Sequence, residues 1–486
     1  MAELPRFIIA LVATGVFTCA LTGSAQAQVQ APPAPVTQPP PPPAPPQPPP
    51  AINRRRAVRG LFGGGPTPDL NRWRNELAVT ASFLGGYDDN ASPTGGPAIG
   101  TPGIDPRLSQ SAYIGTADIG FEYGRAKLTR MFTLGGNAFF NDYRDLDLGI
   151  SSGGNVRLGM TSPLGRSVTG RANAAFSSDP QYDLSSRLPG VGEIPVSSVD
   201  APPLLPAMTG LNDARSNTVF GGAGFDWQAA HRSMVGVTAN YYNRNYSGTS
   251  SATLGDSSGY RAGVSLAQTL SRRASLRTTY EYGNSTVTEL DVDRPSRDHR
   301  IEVGPAYERR LSPSRGLRLA GSVGAIRVET LSTFRDRLVS YWSPSGSASV
   351  DVDLVRTWQA RGDYRREISV LDGLVPQTYL ADNLTTSVAG YLNRRTRLEL
   401  FADYVKGTSP QDPRLNDFDT VGARAHTRIA LTRLLAMTAE YDFYRYHFSN
   451  ANVLPESLPS RFTRNAVHVG FTLWLPLISP PAAASH

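Results

Sequence analysis

Arg464-Asn465-Ala466-Val467-His468-Val469-Gly470-Phe471-Thr472-Leu473-Trp474-Leu475 carries the period of an extended strand. In an extended chain successive side chains point to opposite faces. Val467, Val469, Phe471, Leu473 and Leu475 therefore share one side, and Ala466, His468, Gly470, Thr472 and Trp474 share the other. One face suits an apolar medium and the other is mixed. The same alternation recurs upstream from Arg74, as in Leu77, Val79, Ala81 and Phe83, or Phe132, Leu134, Ala138 and Phe140 set against Thr133, Asn137 and Asn141. Val219, Ala223, Phe225 and Trp227 repeat it, as do Val421, Ala423, Ala425, Ile429 and Leu431.

The connections between these strands come in two kinds that alternate. Short turns are expected at Gly124–Lys127, Thr161–Arg166, Ala229–Arg232, Leu270–Arg273, Ser312–Gly316, Val355–Thr357, Leu392–Thr396 and Leu431–Arg433, nearly all holding Arg or Lys. Longer polar loops are expected at Asp88–Gln110, Asn141–Ile150, Ser177–Asn212, Ser247–Ser257, Gly283–Ser296, Glu329–Ser340, Ser369–Ala381, Lys406–Phe418 and Tyr446–Ser460. Long and short in strict succession is the habit of a membrane barrel, and this count predicts about eighteen strands, within a range of about sixteen to twenty. Aromatic residues near strand ends, among them Tyr123, Phe132, Phe140, Phe176, Trp227, Tyr241, Tyr282, Trp358, Tyr404 and Tyr441, would then form two interfacial girdles. The expected fold class is all-β: a transmembrane antiparallel up-and-down β-barrel over residues 74–475, followed by a tail over 476–486.

The N-terminal end carries an address. Arg6 precedes the apolar stretch Phe7–Leu21, and Ala25-Gln26-Ala27 supplies the small-x-small site of a cleaved secretory signal, read as residues 1–27. The only cysteine, Cys19, lies inside that leader, so the exported chain would have no disulfide, no thiolate metal site and no cysteine nucleophile. Residues 28–73 read as a Pro-rich periplasmic linker, because Ala31–Pro50 is almost all Pro, Ala and Gln and builds no core. Two uses are open to it: contact with peptidoglycan or a periplasmic protein, or service as a solvated tether. With mean hydropathy at -0.27, the exported part has no apolar run long enough for a helical span. The net charge of +7 does not point to nucleic acid, since the basic residues are scattered through short turns instead of forming a stripe with aromatics.

Two stretches resemble known families. The last strand is similar to the closing strand of outer-membrane β-barrels, with His468, Gly470, Leu473 and Leu475 at the four marked places of their assembly signal. That resemblance implies recognition by the barrel-assembly machinery. Leu84-Gly85-Gly86-Tyr87-Asp88-Asp89-Asn90, at the end of the first strand, resembles the outer-membrane β-barrel porin 2 family over about residues 74–475. It implies an outer-membrane barrel, in contact with membrane lipid and lipopolysaccharide, and a role near exopolysaccharide export; it brings no catalytic residues.

If the apolar faces meet lipid, the alternate positions line the interior. Candidate pore-lining residues are Arg157, Arg171, Arg277, Glu302, Asp351, Asp353, Arg361, Arg397, Glu399 and Arg424. So many charges could not stay dry and unpaired, so a wet lumen is expected. Two arrangements are open: a transverse field with Arg361, Arg397 and Arg424 opposite Asp351, Asp353 and Glu399, or a lattice of structural ion pairs along the wall. For the longest loop, Ser177–Asn212, three readings are open: a plug, an outer lid or a disordered loop. No cofactor or metal is expected, because the six histidines show no ligand spacing, and no Gly-x-Ser-x-Gly elbow or P-loop occurs. His447 with Asp442 is the one pairing that hints at a triad, and no enzyme activity is expected. The function expected is passive diffusion of small polar solutes through a charged lumen. The alternative is a non-conducting structural or assembly protein of the outer membrane, associated with exopolysaccharide export.

Overall fold

The structure is a computed structural model and describes residues 62, 74–89, 111–127, 130–144, 150–180, 215–247, 256–289, 292–312, 315–331, 338–355, 357–371, 377–408, 417–449 and 461–478. The expected leader, the expected linker apart from Phe62, most of the third long loop and the tail beyond Ile478 lie outside these residues. Eighteen strands follow one another: β1 (Arg74–Asp88), β2 (Ala112–Lys127), β3 (Arg130–Tyr143), β4 (Ile150–Pro163), β5 (Val168–Pro180), β6 (Arg215–Ala230), β7 (Ser233–Ser247), β8 (Asp256–Thr269) and β9 (Ala274–Glu289). The second half comprises β10 (Val292–Ser312), β11 (Arg315–Leu331), β12 (Leu338–Val355), β13 (Trp358–Leu371), β14 (Gln377–Tyr391), β15 (Thr396–Thr408), β16 (Phe418–Ala430), β17 (Leu435–Phe448) and β18 (Arg461–Ile478). Each strand pairs antiparallel with the next, and β1 also pairs with β18, so the sheet is a closed barrel with no free edge.

Residues paired in register share a face, so fixing one position fixes the whole ring. Ion pairs between strands that are not neighbours identify the inner face. Arg261 on β8 lies 4.0 Å from Glu367 on β13, and Arg365 on β13 lies 3.8 Å from Glu281 on β9. Such contacts cross the interior, because two or more strands separate the partners along the wall. The opposite face carries exposed large apolar side chains all the way round, including Phe83, Ile119, Phe140, Leu158, Val219, Val264, Val323, Trp342, Leu400 and Phe471. The alternation read from Val467 to Leu475 thus separates an apolar exterior from a polar interior.

Several boundaries differ from expectation. Gly124–Lys127 is not a turn but the end of β2, which stays in register with β3 as far as Lys127 opposite Arg130. Gly283–Ser296 is not a long loop: β9 and β10 continue in register to Glu289 and Val292, leaving two residues between them. Thr286, Val287 and Thr288 are β-formers, and a ladder already twelve rungs long gains more by continuing than by opening a polar loop. The last strand begins earlier and ends later than Arg464–Leu475, running from Arg461 through Pro476 to Ile478. Pro476 stands opposite Ala78 beside a register shift between Leu77 and Ala78, the kind of place where a ladder tolerates a residue without an N–H.

The seam between β1 and β18 has its own fastening. Arg464 donates through Nε to Asp88 Oδ2 at 2.7 Å and through Nη2 to the same oxygen, with both side chains buried. One residue on, Asn465 donates its backbone N–H and its side-chain Nδ2 to the two carboxylate oxygens of Asp89 at 2.7 and 2.6 Å. Asp89 N–H returns a bond to the Asn465 carbonyl at 3.0 Å. Gly86 lies under the His468 ring, where a Cβ would collide with it and with the Val467 carbonyl. The Gly-Tyr-Asp-Asp stretch of the first strand is therefore the clasp that meets the Arg-Asn pair of the last. Asp88→Ala should lower the unfolding free energy by about 3–5 kcal/mol, because it strands a buried guanidinium. Urea unfolding of the refolded protein measures this, and an unchanged midpoint would refute the clasp.

Candidate functional site

Described charged residues of both signs gather on the interior, and its two sides differ. On β3 to β7 the inner face is mainly amide and hydroxyl: Asn137, Asn155, Asn173, Thr238 and Asn240 all point inward by register. Asn173 and Asn240 flank Gly222 so closely that a Cβ there would strike both amide oxygens. The ion pairs on this side stay wet. Arg157 meets Glu122 at 3.2 Å with 41% and 78% of their side chains exposed. Arg171 meets Asp226 at 2.9 Å and is itself half exposed.

On β8 to β13 the charges are crowded and mostly buried. Arg300 lies within 3.5 to 3.8 Å of Glu281, Glu302 and Glu367, with 2% of its side chain exposed. Arg365 holds Glu367 at 3.1 Å, and Arg261 reaches Asp298 at 3.5 Å. This knot bridges β10 to β13 past Ile326 and Val328, the inner residues of β11 that stand opposite Arg300 and Asp298. Gly324 on β11 and the serine file Ser343, Ser345, Ser347 and Ser349 on β12 leave room for long side chains to meet above them. Breaking one buried pair costs far more than a surface pair, so the knot holds one wall in place.

A second network covers β15 to β18. Arg397 pairs with Glu399 at 2.5 Å, Glu399 with His426 at 3.2 Å, and Arg424 with Asp442 at 2.6 Å and Glu440 at 3.0 Å. Toward the long-loop end inward aromatics stand in edge contact, Tyr379 of β14 with Phe418 of β16 at 5.1 Å and Tyr446 with Phe448 on β17 at 5.5 Å. At the turn end, Phe62 is buried against Ala430, Ala436 and Trp474, and the Arg428 guanidinium lies 5.4 Å from its ring. A residue from ahead of the first strand is thus seated inside the barrel base.

All ten residues singled out from the sequence project to the inner face by register. Their partners lie along the wall. Besides the pairs above, Arg361 bonds Asp363 at 2.7 Å, Asp351 accepts from Arg318 at 3.0 Å, Asp353 from Gln359 at 3.1 Å, and Glu302 from Ser322 at 2.6 Å. Arg277 faces Gly304. Arg361, Arg397 and Arg424 thus pair with neighbouring carboxylates rather than standing across a gap from Asp351, Asp353 and Glu399. Sequence reading passed over Arg300, Arg365 and Glu367. The signal was there, as opposite charges two residues apart on one face in Asp298-x-Arg300-x-Glu302 and Asp363-x-Arg365-x-Glu367. His447 and Asp442 do not form a pair: His447 bonds Asp419 at 3.2 Å on the outer face, while Asp442 faces inward. Among the described residues, no group of three or more His, Cys, Asp or Glu is placed to hold a metal ion.

No family model matches the chain, and no curated protein does. Solved structures resemble it at low identity. A BenF-like porin from Pseudomonas fluorescens is 10% identical, with a TM-score of 0.41 over 83% of this chain and 99% of that one. OccAB2 from Acinetobacter baumannii is 9% identical, with a TM-score of 0.40 over 83% and 98%. The FrpB iron transporter from Neisseria meningitidis is 8% identical, with a TM-score of 0.42 over 83% and 82%.

The seat of Phe62 is testable because the exported chain is expected to contain no cysteine. A thiol introduced as Ala436→Cys should react slowly with a water-soluble maleimide while Phe62 covers it, and faster when Phe62→Ala is added. Equal rates in the two backgrounds would show that Phe62 does not occupy the barrel base.

Proposed function

We propose that the chain is an outer-membrane channel that lets small polar solutes diffuse passively through the barrel. The observation that carries this reading is Glu122. It lies on the inner face of a closed ring, yet 78% of its side chain is exposed, so open space adjoins the wall formed by β2 to β5. Arg157 and Arg171 border the same space, and the neutral amides of Asn137, Asn155 and Asn173 continue it. A wall of amides, hydroxyls and hydrated ion pairs replaces the water around a polar solute without binding it tightly, which is what passive flux requires.

The exterior supports the membrane part of the reading. An apolar band circling the whole barrel far exceeds the patch that a water-soluble monomer exposes. Aromatics stand at both margins of the band: Tyr123 and Phe132 in edge contact at 6.1 Å near the short turns, Tyr87 and Tyr113 at 5.5 Å near the long loops. In lipid every backbone group must be bonded within the protein, and the pairing of β1 with β18 meets that demand.

Two measurements test the reading. Purified protein refolded into a planar bilayer should give stepwise ion conductance; a membrane that stays silent despite verified insertion would refute the channel. Val156 and Asn155 are neighbours on β4 that face outward and inward. Val156→Arg should destabilise the barrel in vesicles by about 2–4 kcal/mol, the cost of a cation at the middle of a lipid-facing strand, whereas Asn155→Arg should be tolerated. Equal effects, read by urea unfolding, would remove the assignment of faces.

A further inference from the structure

Four turns at the end of the barrel where β1 begins share one construction: Leu164-Gly165-Arg166-Ser167, Leu270-Ser271-Arg272-Arg273, Leu392-Asn393-Arg394-Arg395 and Leu431-Thr432-Arg433-Leu434. In each, the leucine N–H donates to the carbonyl of the residue that starts the next strand, Val168, Ala274, Thr396 or Leu435, at 2.9 to 3.0 Å. In three of them the second residue acts as an internal acceptor. Ser271 Oγ, Asn393 Oδ1 and Thr432 Oγ1 each take the backbone N–H groups of the fourth turn residue and of the next strand's first residue, at 2.8 to 3.2 Å. Gly165 fills that place in the fourth turn without a side chain. The shared backbone fixes where the first and third side chains go.

The first place is always leucine, and it is always exposed: 71% for Leu164, 59% for Leu270, 58% for Leu392 and 46% for Leu431. Each extends an outward file of its own strand, as Leu164 follows Leu158 and Met160, and Leu270 follows Val264 and Leu266. The third place is always arginine. Arg166, Arg272, Arg394 and Arg433 are exposed, and none has an acidic partner among the described residues. Exposed Arg232, Arg273, Arg309 and Arg395 add to the same rim. A turn that needed only solubility would not repeat leucine at its outward place. Leucine at the last apolar level, with an unpaired guanidinium just beyond it, is the order of acyl chain and headgroup in a lipid leaflet.

We propose that this rim binds the phosphates of anionic phospholipids in the leaflet that meets the turn end, the leucines entering the acyl layer and the arginines clasping the headgroups. A guanidinium suits the task because its fork of donors matches phosphate oxygens two at a time, and a basic collar is drawn to an anionic surface. The proposal rests on the membrane reading above.

The experiment uses the full exported chain, refolded into vesicles of phosphatidylcholine alone or mixed with phosphatidylglycerol. The expected result is a higher urea midpoint in the mixed vesicles, a difference that shrinks as salt is added. It should disappear in the variant combining Arg166→Gln, Arg272→Gln, Arg394→Gln and Arg433→Gln, which still inserts into phosphatidylcholine. Single replacements, R272Q and R433Q, should each remove part of the difference and stand in if the fourfold variant does not fold. Equal wild-type midpoints in the two vesicles, or variants that keep the full difference, would overturn the lipid collar while leaving the membrane reading intact. Failure of the wild-type chain to insert into either vesicle would instead bring down the membrane reading itself.

Discussion

The meeting of β1 with β18 is the constraint on which the rest depends. A sheet of eighteen strands left open would present two rows of unpaired N–H and C=O groups beside an apolar face, which no apolar medium can satisfy. Closure removes both rows, but it joins residues about 380 positions apart in the chain, so nothing local can enforce it. The fastening at that join is accordingly stronger than a ladder alone. Asp88 and Arg464 are buried together, Asp89 and Asn465 exchange three further bonds, and Gly86 leaves the room that the His468 ring takes up beside it.

Once the ring is closed, the two-residue period of a strand becomes a division between two media. Every odd or even choice made at the join propagates through seventeen further pairings, so the exterior is apolar everywhere and the interior collects the polar residues. The interior then has to accommodate charges of both signs. On β8 to β13 and β15 to β18 it does so by pairing them, and on the first of these walls the serine file of β12 lets arginine and glutamate meet across two strands. On β2 to β7 it keeps them hydrated. An interior with one firm ionic wall and one wet, largely neutral wall can hold its width while a solute passes along the softer side.

Legible in the sequence were a strand number of about eighteen, the alternation of tight and long connections except at Gly283–Ser296, and the face to which the strand side chains belong. Those properties are local. Period-two alternation assigns faces strand by strand, and turn residues such as Leu270-Ser271-Arg272-Arg273 announce a reversal from their own hydrogen-bonding capacity. For that reason Arg157, Arg171, Glu302, Asp351 and Arg424 were found on the inner face where alternation put them. The polar character of Gly283–Ser296 misled because strand length depends on the partner strand, and Thr286 to Thr288 gain a ladder only once β8 and β10 lie beside them.

Which residues meet is settled by the closed ring. Arg300 reaches Glu367 past Ile326 on β11 and across the serine-lined inner face of β12, and no spacing within either strand encodes that approach. Asp88 finds Arg464 across the join, and Phe62 finds Arg428 and Trp474 at the barrel base, through contacts that exist only when the ring has closed. Asp442 and His447 are close in the chain yet face opposite media, since positions that differ by an odd number lie on different sides of a strand. Facing is a property of the backbone repeat and is written residue by residue; partnership is a property of the closed surface and is not.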